Sequence, residues 1–159
     1  MQRETTNVRL RITSPTLTAA DIEARLGIKA DESWKIGDRT GTFGAILKDH
    51  GYALDAVALY TLKLDDHMRA MIKRIAPVAQ KVGEISGEAK VEMVCTLFCR
   101  TAPPIAFTRD DIRWLAAIGA SLDVEVGMLV ERAQPASAET MPGDKEGPAS
   151  VFRAPTSGS

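Results

Sequence analysis

The stretch NVRLRITSPTLTAADIEARLGI, residues 7–28, decides the fold class. Val8, Leu10 and Ile12 alternate with Arg9, Arg11 and Thr13, the period of a strand with one buried face and one wet, basic face. Pro15 ends that strand. Thr18 then offers its hydroxyl to the amide of Asp21, and Asp21 offers a carboxylate back to the start of the turn, a capping box that opens a helix. Leu17 and Ile22 are spaced for a hydrophobic staple across the same start. Gly27 follows Leu26 as a left-handed C-cap, so the helix is short.

The same capping device recurs in FTRDDI, where Thr108 caps, Asp111 sits three residues on, and Phe107 and Ile112 are spaced as the staple. Ile112, Leu115 and Ala116 form the expected apolar face, and Gly119 ends the helix. The match between the two copies covers little beyond the cap, so it is read as one capping solution used twice rather than a duplication. Between them, Ala56 to Leu64 is apolar on both faces and is expected to be a central strand. Leu64-Asp65-Asp66-His67 opens the longest helix, with Asp65 as N-cap, Asp66 complementing the dipole, and a break at Pro77. The segment around Cys95 and Cys99 reads as a strand, Ile105 to Phe107 as a short one, and Leu122 to Val130 as a half-exposed closing strand. The predicted fold is α+β: a mixed, largely antiparallel sheet with three helices mainly on one face, a ferredoxin-like core with an added αβ unit.

The chain has 159 residues, enough for one domain with a tail and for a core that needs neither disulfide nor metal. The domain is expected over residues 5–132. Residues 133–159 hold four of the eight prolines and no apolar period, and are expected to be a disordered tail, with Val151-Phe152-Arg153 as its one candidate docking motif. Twenty basic residues against twenty-one acidic ones give a net charge of −1, which speaks against nucleic acid or an anionic membrane as partner. No apolar run is long enough to span a bilayer, and the charged start lacks a signal peptide's apolar core, so a cytoplasmic location is expected. Cys95 and Cys99 are too far apart along one strand for a disulfide, about 13 Å at ~3.3 Å per residue, and read as small buried hydrophobes.

Residues 29–52, KADESWKIGDRTGTFGAILKDHGY, have no clear period. Loops that long inside compact domains are often functional. Trp34 either anchors the loop or lines a binding surface, and the glycines match no phosphate-binding fingerprint. The short capped helix ending in Leu26-Gly27-Ile28, the run Trp34-Lys35-Ile36-Gly37-Asp38, the start Leu64-Asp65-Asp66-His67 and the ending from Ile118-Gly119 to Leu122-Asp123 resemble the bacterial domain-of-unknown-function family numbered 4279. The resemblance spans about residues 8–131. It implies a small α+β protein, no known activity and no catalytic residues to carry over. It also implies an acidic pair in the last strand, here Asp123 and Glu125.

Asp123 and Glu125 lie on one strand face, roughly 6.5–7 Å apart. They either hold a ligand or form a solvated strand face, which can meet Arg9 and Arg11 across neighbouring strands. The two histidines and two cysteines fit no metal-ligand spacing, and no nucleophile elbow is present, so neither a metal, a cofactor nor a catalytic residue is assigned. Trp114 flanks the last helix and either marks a partner surface or packs against the tail or the Trp34 loop. The reading that follows is a non-catalytic interaction module, with an unidentified protein or a second copy as partner. The alternative is a small-molecule or anion-binding domain, with weak enzymatic activity at most. Candidate contact residues are Trp34, Gly37, Asp38, Arg39, Trp114, Asp123 and Glu125.

Overall fold

The computed structural model describes residues 2–56 and 61–131. Its first element, β1 (Thr5–Ser14), has the expected alternation: Val8, Leu10 and Ile12 have no exposed surface. The buried Ser14 accepts the amides of Thr16 and Leu17, turning the chain into α1 (Ala19–Leu26). Both halves of the Thr18–Asp21 capping box are formed, and Gly27 closes the helix at φ 70°. Strands β2 (Glu32–Trp34) and β3 (His50–Asp55) follow. The long helical segment is broken at Pro77, as expected, into α2 (Leu64–Ile75), a 3-10 turn (Ala76–Val78) and α3 (Ala79–Ile85). Then come β4 (Lys90–Cys99), α4 (Arg109–Ala117) and β5 (Ala120–Met128).

The five strands lie in the order β2-β3-β1-β4-β5. The first four are antiparallel to their neighbours, and β5 is parallel to β4. The fold is thus α+β with a mixed, largely antiparallel sheet and three helical units, α1, α2–α3 and α4. The buried side chains of all three units meet Val8, Leu10, Ile12, Tyr52, Leu54, Met93, Cys95 and Leu97 on one sheet face. The other face carries Arg9, Arg11, Asp55, Glu92, Val94, Asp123 and Glu125, by register. No helix among the described residues is long and apolar enough to cross a membrane. The compact unit ends at Leu129, and the segment 133–159, with its Val151–Phe152 pair, lies outside the described residues.

Four local expectations are corrected. The strand expected over Ala56–Leu64 falls partly on residues 57–60, which lie outside the described residues; of the rest, Ala56 and 61–63 are not in a strand, Leu64 is helical, and β3 is the preceding His50–Asp55. Gly51 is small because the Trp34 ring crosses above it, and Gly51 beside the small Ala53 hides a strand from a hydrophobicity reading. Ile105–Phe107 forms no strand; Phe107 packs on the core from a coil segment. The N-cap of α2 is Lys63, without a side-chain cap, and Asp65 instead pairs with Arg69 one turn on. In α4 the inward positions are Leu115 and Ile118, while Ile112 and Ala116 face solvent. The half-buried Trp114 packs on the core and takes part of the face assigned to Ile112, rotating the helix about its axis.

Leu10→Ala should cost about 2–5 kcal/mol, because it opens a cavity under the middle strand. Thr108→Ala should cost about 1 kcal/mol, since it removes one half of a formed capping box. Urea denaturation midpoints at constant slope measure both.

Candidate functional site

The open sheet face is where the sequence-derived candidates can be tested against geometry. Arg9 lies at its middle, flanked by Asp55 on β3 and Val94 on β4. Its guanidinium forms a two-pronged contact with the Asp55 carboxylate, Nε to Oδ1 at 2.8 Å and Nη2 to Oδ2 at 3.0 Å. Its third nitrogen donates to Glu32 on β2, and Asn7 donates to Asp55 at 3.1 Å. Arg11 donates to Glu92 at 3.0 Å, and Lys90 reaches the other oxygen of Glu92 at 2.7 Å. Beside this cluster, Arg74 of α2 donates to Asp31 and to the Asp55 carbonyl, while Asp31 accepts the Asp55 amide at 2.8 Å.

These contacts set the ionisation of the face. The Arg74 hydrogen bond is the main cause holding the Asp31 carboxyl below its ordinary value. Burial alone would raise Asp55 and Glu92, but hydrogen bonds from Arg9 and Asn7, and from Lys90 and Arg11, outweigh it and lower both. On the helix side of the same sheet, burial pushes the Cys95 thiol up to about 12, which keeps it protonated and inert.

The candidate residues do not converge. Trp34 is at the β2 edge, where its ring lies across Gly51; a Cβ there would stand 1.8 Å from Trp34 Cε2. Asp123 and Glu125 are on β5, at the opposite edge, four strand spacings or roughly 19 Å away. Gly37 and Asp38 build the hairpin that joins β2 to β3. The Gly37 amide donates to Leu47 O at 2.9 Å, and Asp38 Oδ2 accepts the Lys35 amide at 2.8 Å. Arg39 bridges to Ile46 in the same hairpin through its backbone. Trp114 packs on the hydrophobic core from α4 rather than on the Trp34 loop. The pairing of Asp123 and Glu125 with Arg9 and Arg11 is also absent, because β4 separates β5 from β1 and the arginines are taken by Asp55, Glu32 and Glu92. Among the described residues, Asp123 and Glu125 form no ion pair, and no three His, Cys, Asp or Glu side chains gather as metal ligands.

What the sequence reading missed is the exposure of the β5 edge. Leu122, Val126 and Met128 alternate onto the helix side of the sheet, yet are 37%, 45% and 53% exposed. Nine-residue α4 is too short to roof the whole of β5, and that length was legible. On the open side, Phe98 lies across Gly127, where a Cβ would stand 2.4 Å from its ring. A shallow depression of about 320 Å³ opens beside it, lined by Gln2, Arg3, Phe98, Gly127, Met128 and Leu129. Phe43, at the far end of the 35–49 hairpin, is 96% exposed.

Among the described residues, the chain is an α+β domain whose sheet carries an internally paired ionic cluster on one face and a partly apolar edge strand, β5. Residues 3–129 match the family described as Domain of unknown function (DUF4279), and the chain belongs to that family. Neither a curated protein nor a solved structure matches it.

Because Asp31, Asp55 and Glu92 are all held below their unfolded values of about 4, their stabilisation is complete above that pH and is lost as pH falls through the folded values. Denaturation midpoints should therefore drop below about pH 4, and Asp31→Asn should shrink the drop. At pH 7, Arg9→Ala should cost about 1–3 kcal/mol by stranding Asp55, whereas Asp123→Asn with Glu125→Gln should change stability by less than about 0.5 kcal/mol.

Proposed function

We propose that this chain is a non-catalytic interaction module that meets a protein partner along the free edge of β5. The observation that carries this reading is the edge itself: nine residues of terminal strand with Leu122, Val126 and Met128 exposed. Long, apolar sheet edges invite pairing with another chain, and soluble proteins usually blunt them. The opposite edge, β2, is only three residues long, which offers little to an added strand. The saturated pairing of Arg9, Arg11, Lys90, Asp55 and Glu92 supports a binding role over catalysis, since none of these groups is left to move a proton or bind phosphate. It equally supports protein over nucleic acid as partner. The reading takes the cytoplasm as its compartment, which the two free, buried cysteines support.

A photo-crosslinking side chain placed at Val126, with a second placed at the exposed Lys81 as control, tests this in cells that make the protein. The expected result is a discrete crosslinked species at Val126, absent at Lys81 and abolished by Met128→Asp. Absence of any species at Val126, or equal crosslinking at both positions, overturns the reading.

A further inference from the structure

We propose that β5 receives an extended segment in which cationic and apolar residues alternate, added as a sixth strand to the sheet. This deepens the interaction-module reading and rests on it, naming the chemistry of the partner. Among the described residues nothing pairs with the outer side of β5, and the strand contains no proline to interrupt a new ladder. Its backbone donors and acceptors on that side are therefore free to supply main-chain hydrogen bonds, the ordinary source of affinity when a strand is added to an edge.

Side chains then set which strand fits. Asp123 and Glu125 alternate onto the open face beside Val94 and Thr96, while Leu122, Val124, Val126 and Met128 alternate onto the helix side. A strand laid alongside brings its own side chains to about 4.5–5.5 Å from these. On the open face the match is cationic. Among the described residues, Glu32, Asp55 and Glu92 each have an arginine or lysine, but Asp123 and Glu125 have none, and Arg9, Arg11 and Lys90 are already engaged. A cationic side chain on an added strand would match them across the ladder. On the helix side the match is apolar, because the partly exposed Leu122, Val126 and Met128 lose water there.

The same arithmetic disfavours a second copy in the register that overlaps the whole of β5. A two-fold antiparallel pairing centred on Val124 sets Asp123 opposite Glu125 of the second copy, and Glu125 opposite its Asp123. Like charges directly opposite are destabilising. The acidic pair thus repels β5 itself while attracting a basic strand, which is how specificity against self-pairing is built.

Three labelled nine-residue peptides test the proposal by fluorescence anisotropy with the full chain: alternating Lys and Val, alternating Glu and Val, and Lys and Val in two blocks. The alternating Lys–Val peptide should bind at least tenfold more tightly than the other two, and more weakly as salt rises. Asp123→Asn with Glu125→Gln should weaken it about tenfold. Asp49→Asn with Asp110→Asn, the same charge change at exposed sites off the sheet edge, should not. Thermal melts check that both variants fold. Equal binding of the alternating and block Lys–Val peptides, equal effect of the two double variants, or no binding overturns the proposal. So does a stable dimer by light scattering that Val126→Lys dissolves. If Val126 crosslinks in cells while no peptide discriminates, the alternating basic strand is wrong and the interaction module stands. If neither occurs, both fall.

Discussion

Val8, Leu10 and Ile12 are wholly buried on the middle strand of five, and the rest of the molecule is arranged around that fact. β1 is hydrogen-bonded on both sides, to β3 and to β4, and α2 packs directly on it. Each such side chain contributes about 1.5–3 kcal/mol relative to exposure, so the register of β1 is strongly specified. A strand has a period of two, so burying these three residues sends Arg9 and Arg11 to the opposite face. Two guanidiniums at the centre of a sheet need carboxylates within reach. β3 supplies Asp55, β2 supplies Glu32 and β4 supplies Glu92, with Arg9 at the hub of the first two. The ionic cluster is therefore a consequence of the core rather than a separate device.

The cluster also explains how an open sheet face stays ordered without a second layer of helices. Ala53 and Val94 are buried although they lie on that face, and they flank the two arginines in the neighbouring strands. Long basic side chains cover apolar surface with their aliphatic stems while their heads are held by carboxylates. Towards the two edges the covering changes from charge to aromatic rings. Trp34 spans Gly51 and Phe98 spans Gly127, each ring taking the space a Cβ would need. A ring over a strand glycine restores packing that the glycine itself cannot provide.

Legibility in the sequence tracked how local the determining physics is. Both capping boxes, the C-cap at Gly27 and the break at Pro77 depend on residues within one turn, and all were readable. The strand order was not, and that is why the sequence left open whether Asp123 and Glu125 pair with Arg9 and Arg11, which β4 separates from them. Alternation says which residues share a face, but adjacency depends on which strands the connections bring together. Here α4 carries the chain from β4 to a parallel β5, beyond the reach of β1. β3 was missed because its buried positions include the small Gly51 and Ala53, and the smallness of Gly51 belongs to the Trp34 ring above it. Trp34, Gly37 and Asp38 stood out in the sequence as candidate contact residues; in the structure Asp38 ties the hairpin turn and the Gly37 amide is spent on Leu47.

The acidic pair shows how one pattern changes meaning with position. On an interior strand, alternating carboxylates are matched by cations across the ladder, as Glu92 is by Arg11, and the pair disappears into the fold. On β5 one side of the ladder has no partner among the described residues, so half of the cross-strand neighbours that would neutralise Asp123 and Glu125 are absent from them as well. The same absence leaves Leu122, Val126 and Met128 partly uncovered. Unmatched charge on one face and uncovered apolar surface on the other thus share a single cause, an unfilled strand position. A ligand that satisfied only the carboxylates would leave the apolar side wet, and one that covered only the apolar side would leave the charges unmatched. A strand satisfies both at once, because its own side chains alternate with the same period.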